Sequence, residues 1–165
     1  MNRNAPTALV LLALGSNMGD RRQHLDTAVE ALNALPETRV TAYAEPIETE
    51  PVGGPEGQGA FLNSACGLET RLAPEALLDE LQRIEKDQGR NRGDSAVRWG
   101  PRTLDIDILL WGDMTCETAR LTIPHPRMAE RLFVLAPLAA IAPDALHPVL
   151  GLTARELLRR IETTT

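Results

Sequence analysis

Asp105 and Asp107 stand two residues apart in the run Leu104-Asp105-Ile106-Asp107-Ile108-Leu109-Leu110. A run this apolar and β-branched reads as a strand. Successive strand side chains point to opposite faces, so the two carboxylates emerge on one side, about 7 Å apart. Ile106, Ile108 and Leu110 are then expected to fill the other side, toward a core. Two carboxylates at that spacing suit one or two hard divalent ions, because Mg2+ takes one or two protein carboxylates and leaves its other positions to water and phosphate oxygens. Upstream, Arg90, Arg92, Arg98 and Arg102 fall within thirteen residues. Cations beside a carboxylate pair that binds Mg2+ meet the needs of a polyphosphate. The competing reading is a solvated strand face whose aspartates pair with the arginines, and short motifs often mean no more than that. Against it stands Gly100-Pro101, a turn set between two arginines with Trp99 beside it, which a solvated strand does not need.

Four more segments follow a fixed order along the chain: Ala13-Leu14-Gly15-Ser16-Asn17, Thr49-Glu50-Pro51-Val52-Gly53, Phe61-Leu62-Asn63, and Leu121-Thr122-Ile123-Pro124-His125-Pro126. With the stretch 98–110 they resemble the signature of the 6-hydroxymethyl-7,8-dihydropterin pyrophosphokinases, over about residues 8–143. The resemblance implies transfer of the β,γ-pyrophosphoryl group of ATP to the hydroxymethyl of a dihydropterin, releasing AMP, in tetrahydrofolate biosynthesis. It implies two Mg2+ ions held by Asp105 and Asp107, with Arg90, Arg92 and Arg102 supplying charge to the transferring group. Phe61 and Phe133 match the family's stacking pair for the pterin, and Trp99 the residue that packs over the site. Asn63 would read the pterin edge, with Thr49, Glu50 and Val52 at loop positions beside the ring and Asp105 facing the hydroxymethyl. On the nucleotide side the resemblance points to Gln82, Glu85, Arg92, Trp99, Arg102, Ile106, Arg120, Thr122, His125 and Arg131.

These residue types suit the chemistry. A pterin is flat and rich in edge donors and acceptors, so it needs stacking surfaces and an amide. The chain has only five aromatics to offer, Tyr43, Phe61, Trp99, Trp111 and Phe133, of which Tyr43 and Trp111 are expected in the core. Two other functions use fewer of these residues. One is another Mg2+-dependent nucleotidyl or phosphoryl transferase on the same scaffold. The other is a non-catalytic small-ligand module, which would not require the carboxylates, arginines and aromatics together.

Composition sets outer bounds. A length of 165 residues suits one domain, here 1–165. A net charge of −6 leaves no general basic field for nucleic acid. Sixteen of the seventeen cations are arginines and Lys86 is the exception, so clustering, not arginine content, is the signal. Cys66 and Cys116 form no disulfide or zinc pattern. The apolar run 8–14 is too short to span a membrane, and no small-residue cleavage pattern follows it. The expectation is a cytoplasmic monomer whose partners are ATP and the pterin.

The elements that must position these residues are legible in part. Residues 7–14 read as a buried strand. Asp20 and Gln23 resemble a capping box before a helix bearing Leu25, Ala28, Val29, Leu32 and Leu35, which Pro36 stops. Residues 40–49 are strand-like with Pro46 forcing an edge or bulge, and 60–70 alternate with Phe61 and Asn63 on one face. A second helix opens at Pro74 and ends at Gly89, with Gln82 and Glu85 one turn apart and turned toward the carboxylate strand. Gly112-Asp113 is an exit turn, and Thr153 with Glu156 caps a last helix. The loops 50–59 and 89–96 are glycine-bearing and expected to be mobile. The β-α-β-β-α-β order is that of an α+β, ferredoxin-like antiparallel sheet with its helices on one face and the site on the other.

Overall fold

β1 (Ala8–Ser16) turns Val10, Leu12 and Leu14 to one face and Leu11, Ala13 and Gly15 to the other, and this strand organises the computed structural model, which describes residues 7–50, 57, 59–89 and 103–164. The central strand β1 is hydrogen-bonded on both edges, antiparallel to β4 (Phe61–Thr70) and to β5 (Asp105–Trp111). Beyond β4, β2 (Thr38–Tyr43) and β3 (Ile47–Thr49) pair with its two ends, giving the order β2-β4-β1-β5 with β3 beside β4. The expected strand at 40–49 is therefore two strands, broken around Glu45-Pro46, where proline cannot donate to the ladder.

On the first face, Val10, Leu12 and Leu14 of β1 join Cys66 and Leu68 of β4 and Ile106 and Ile108 of β5. Helices α1 (Arg21–Asn33) and α2 (Pro74–Asp87) close over them with Leu25, Ala28, Leu32, Leu77, Leu81 and Ile84. Full burial of each such leucine or isoleucine is worth about 1.5–3 kcal/mol, so this layer is the main anchor of the sheet. Asp20 caps α1 by accepting from the Gln23 N–H at 3.1 Å, while the Gln23 amide bonds onward to Thr27. Gly89 stops α2 in the left-handed region at φ +90°, as its place in the sequence suggests.

The expectation for Leu110 is corrected by a bulge. Leu11 pairs with Leu110 and Leu12 with Ile108, so Leu109 is an extra residue in β5. The insertion reverses the alternation after Ile108. Leu109 and Leu110 enter the second face, and Trp111 takes the place in the first core.

That second face carries helices as well. Leu11, Ala65, Leu109 and Leu110 pack under α3 (Leu132–Ile141) and α4 (Ala154–Thr163) through Val134, Leu135, Leu138 and Leu157. Helix α3 has no apolar periodicity to betray it, since Leu132-Phe133-Val134-Leu135-Ala136-Pro137-Leu138-Ala139-Ala140-Ile141 is apolar throughout and contains Pro137. A small hairpin, β6 (Cys116–Glu117) with β7 (Thr122–Ile123), and a 3₁₀ turn at Met128–Glu130 lead into it. The sheet is thus covered over part of both faces, and partly exposed Phe61, Asp105 and Asp107 lie beyond the patch that α3 and α4 cover. No helix among the described residues is long and apolar enough to cross a membrane.

Thr153 and Glu156 close a complete capping box on α4: the Glu156 N–H donates to the Thr153 hydroxyl at 3.2 Å, and the Thr153 N–H donates to the Glu156 carboxylate at 3.1 Å. Thr153→Ala is expected to cost about 1 kcal/mol, read as a lower urea midpoint with an unchanged slope.

Candidate active site

Register brings the first group together. Gly15 pairs with Asn63 on one side and with Asp105 on the other, and Ala13 pairs with Ala65 and Asp107. Paired residues share a face, so Asn63, Gly15, Asp105 and Asp107 stand on the second face with Phe61 one step along β4. Neighbouring strands lie about 4.8 Å apart, which sets Asn63 and Asp105 roughly 10 Å from each other, with Gly15 and Ala13 of β1 between their strands. The trough is shaped by what β1 lacks.

Asn63 is almost fully buried at 7% exposure and donates from Nδ2 to Thr49 Oγ1 at 2.5 Å. Thr49 reaches it because β3 pairs Thr49 with Phe61. Asp105 and Asp107 are each partly exposed, on the side of β5 opposite Ile106 and Ile108. Among the described residues no group of three or more His, Cys, Asp and Glu could hold a metal. Two carboxylates on one strand face are nevertheless the donor set that Mg2+ needs when phosphate oxygens and water complete its shell.

A second group of residues arrives from the segment after β7. The His125 N–H donates to the Leu109 carbonyl at 3.0 Å, tying this segment to the bulge of β5. Arg127 N–H donates to Nδ1 of His125 at 3.1 Å, so the neutral ring carries its proton on Nε2. Burial and the nearby Arg131 push the His125 imidazole below its ordinary value of 6.5, against an opposing pull from Asp105. Arg131 lies over the ring of Phe133, 5.6 Å from its centroid, at the start of α3. Arg131, Asp105 and Arg127 therefore all lie close enough to act on His125. Sequence reasoning passed over Arg127; its position two residues after His125 was the available clue.

On the far side of β5, Glu85 and Gln82 separate. Glu85 is 1% exposed and accepts from the Ile106 N–H at 2.8 Å, so it ties α2 to the carboxylate strand. Glu85 is thus buried against the carboxylate strand, whereas Gln82 on the same helix is exposed. Arg120 is gathered onto α2 by Glu75 at 2.9 Å and Asp79 at 2.6 Å, with Gln82 Oε1 at 3.4 Å. Thr122, exposed on β7, lies close by in sequence. Glu50 is exposed after β3. Val52, Arg90, Arg92, Trp99 and Arg102, and most of the two loops at 50–59 and 89–96, lie outside the described residues. Tyr43 and Trp111 are accounted for structurally: the Tyr43 hydroxyl donates to Asp26 at 2.9 Å, and Trp111 is buried.

Residues 11–143 match the family model for 7,8-dihydro-6-hydroxymethylpterin-pyrophosphokinase (HPPK). The chain is 48% identical over 139 residues to the 2-amino-4-hydroxy-6-hydroxymethyldihydropteridine pyrophosphokinase of Pseudomonas aeruginosa, covering 84% of this chain and 83% of that one. To the enzyme of the same name from Bacillus subtilis it is 50% identical over 133 residues, covering 81% and 77%. In fold it is similar to a triple mutant of Plasmodium falciparum HPPK-DHPS, with a TM-score of 0.75 at 16% identity, covering 98% of this chain and 44% of the longer one. The chain belongs to the HPPK family. It is accordingly an ATP-dependent diphosphokinase, a transferase that moves the pyrophosphoryl group of ATP to a hydroxymethyl-dihydropterin in folate synthesis.

With its pKa lowered, the folded state binds a proton at His125 less readily than the unfolded chain does, so this histidine's contribution favours folding above its ordinary value and is lost as pH falls below it. NMR titration of the ring is expected to show a midpoint under 6.5 and the Nε2–H tautomer at neutral pH.

Proposed function

We propose that the trough on the second sheet face is where the transfer takes place, with the pterin on the Asn63 side and the phosphates on the Asp105 side. The observation that supports this most is the shared register of Asn63, Gly15 and Asp105 across three strands. It brings an edge-reading amide, a nearby aromatic ring and a carboxylate pair within the span of one small heterocycle. Asn63 would orient the pterin edge from its bond to Thr49, Phe61 and Phe133 would supply stacking surface, and Glu50 and Val52 would flank the ring. Asp105 and Asp107 would hold magnesium, which would supply positive charge to offset the phosphates and acidify the attacking hydroxyl.

The remaining roles divide by charge. The Nε2–H of His125 is a neutral donor that a phosphate oxygen can accept without a proton change near pH 7. Arg131 and the sequence-assigned Arg90, Arg92 and Arg102 would stabilise negative charge on the transferring group. Gln82, Arg120, Thr122 and Ile106 would meet the nucleotide, and Trp99 would help exclude water, which competes as acceptor. Glu85, buried beneath them, acts by holding the Ile106 backbone in place. ATP and a hydroxymethyl-dihydropterin are the two ligands in this reading, with the chain acting as a monomer in the cytoplasm.

The deciding assay supplies ATP, Mg2+ and hydroxymethyl-dihydropterin and identifies the nucleotide product. AMP is expected; ADP would mean ordinary phosphoryl transfer, and no pterin-dependent turnover would favour a binding module. Asp105→Asn and Asp107→Asn are each expected to lower kcat by about 1,000-fold or more, on the scale of lost transition-state charge stabilisation, with melting temperatures close to wild type. Arg102→Ala should slow the single-turnover step by about 100-fold, and an unchanged single-turnover rate would remove Arg102 from the chemistry.

A further inference from the structure

Gly15 has no need of glycine's conformational freedom, because its φ is not in the left-handed region. What it supplies is space. A Cβ on Gly15 would stand 2.8 Å from Asn63 Oδ1 and 3.8 Å from Phe61 Cδ1. The first distance is closer than real Cβ atoms come to a neighbour, and the second is ordinary contact. The atom that would have to give way is the carboxamide oxygen of a side chain that is 7% exposed. Its other end is held by Thr49 Oγ1 at 2.5 Å. An exposed asparagine could swing aside at little cost. This one is gripped at Nδ2, so any displacement of Oδ1 turns the amide plane or breaks the Thr49 bond.

We infer that Gly15 is a positioning residue for pterin recognition: its bare Cα and the Thr49 hydroxyl together hold the Asn63 carboxamide in the one orientation that reads the heterocycle's edge. This rests on the assignment of the pterin to the Asn63 side of the trough. The specificity follows from hydrogen-bond inventory. An amide presents an acceptor and a donor in a fixed order, so a rotated amide faces the ligand's edge with mismatched partners. A buried mismatch is penalised more heavily than a missing bond. Gly15 also borders Asp105 by register, but among the described residues the close contact is with Asn63, so its effect should fall on the pterin and spare the nucleotide.

The test uses the full-length 15N-labelled chain in two measurements. The first needs no ligand. The Asn63 Nδ2H2 resonance pair, identified by its loss in Asn63→Ala, is expected to shift in Gly15→Ala and in Thr49→Val and to return toward its wild-type position in Thr49→Ser. A pair that stays put in Gly15→Ala overturns the inference. The second is calorimetric binding of 6-hydroxymethylpterin in the presence of Mg2+ and α,β-methylene-ATP. Gly15→Ala should weaken pterin binding by about tenfold or more while leaving the affinity for the ATP analogue unchanged, with Thr49→Ser recovering part of what Thr49→Val loses. In the Asn63→Ala background, Gly15→Ala should add nothing, because it acts through the carboxamide it displaces. Additive losses there, or equal losses in pterin and nucleotide affinity, would make Gly15 a general packing residue and overturn the inference. If wild-type protein turns over pterin while Asn63→Ala binds it undiminished, it is the placement of the pterin beside Asn63 that fails, and the inference with it.

Discussion

The pleat of β1 is the constraint on which the rest depends. Because this strand is hydrogen-bonded on both edges, its two faces are committed at once. Val10, Leu12 and Leu14 can reach the first core only if Leu11, Ala13 and Gly15 face the other way. A slip of one residue in pairing would bury glycine and alanine in the hydrophobic layer and carry leucines into the trough. The apolar layer that stabilises the protein therefore also enforces the alignment of Asn63 with Asp105. Stability and site geometry share one register.

The bulge at Leu109 lets β5 serve two masters. Up to Ile108 the strand alternates as Asp105 and Asp107 require, with isoleucines inward. After the extra residue it contributes Leu109 and Leu110 to the layer beneath α3 and α4 and Trp111 to the first core. The Leu109 carbonyl then receives the His125 N–H, which draws the proline-flanked histidine toward the carboxylate end. One local irregularity thus supports the second core and anchors the His125 segment together. Glu85 has a comparable double role, since its buried carboxylate joins α2 to the backbone between the two aspartates. Removing either link would leave buried polar groups unpaired, which costs about 1–3 kcal/mol for each.

Electrostatics follows from the same arrangement. Arg127 fixes the His125 tautomer through its backbone, and burial first, then the charges of Arg131 and Arg127, disfavours protonation of the ring against the pull of Asp105. A neutral ring leaves Nε2–H as a donor between two arginine-bearing positions. Arg120 is different: with Glu75 and Asp79 already upon it, it is part of an exposed network on α2 that presents Gln82 and worth little in stability by itself.

Much of this was legible in the residues alone. Short-range chemistry determined the capped starts of α1 and α4, the glycine stop of α2, and the common face of Asp105 and Asp107, because caps, turns and strand alternation depend on neighbours a few positions away. Ordered motifs sufficed for the family. What the tertiary structure alone decided involves partners far apart in sequence. Nothing local marks Leu109 as the inserted residue, since the bulge is defined by what lies opposite it on β1. Helix α3 has no amphipathic period because it is wedged between the sheet and α4, so both of its sides are apolar. Glu85 is read in sequence as facing the carboxylate strand, but its bond to the Ile106 N–H is visible only once the two are brought together. Gly15 reads as a strand terminator until Asn63, forty-eight positions later, is laid beside it. Alternation specifies which way a side chain points; only pairing specifies what it meets.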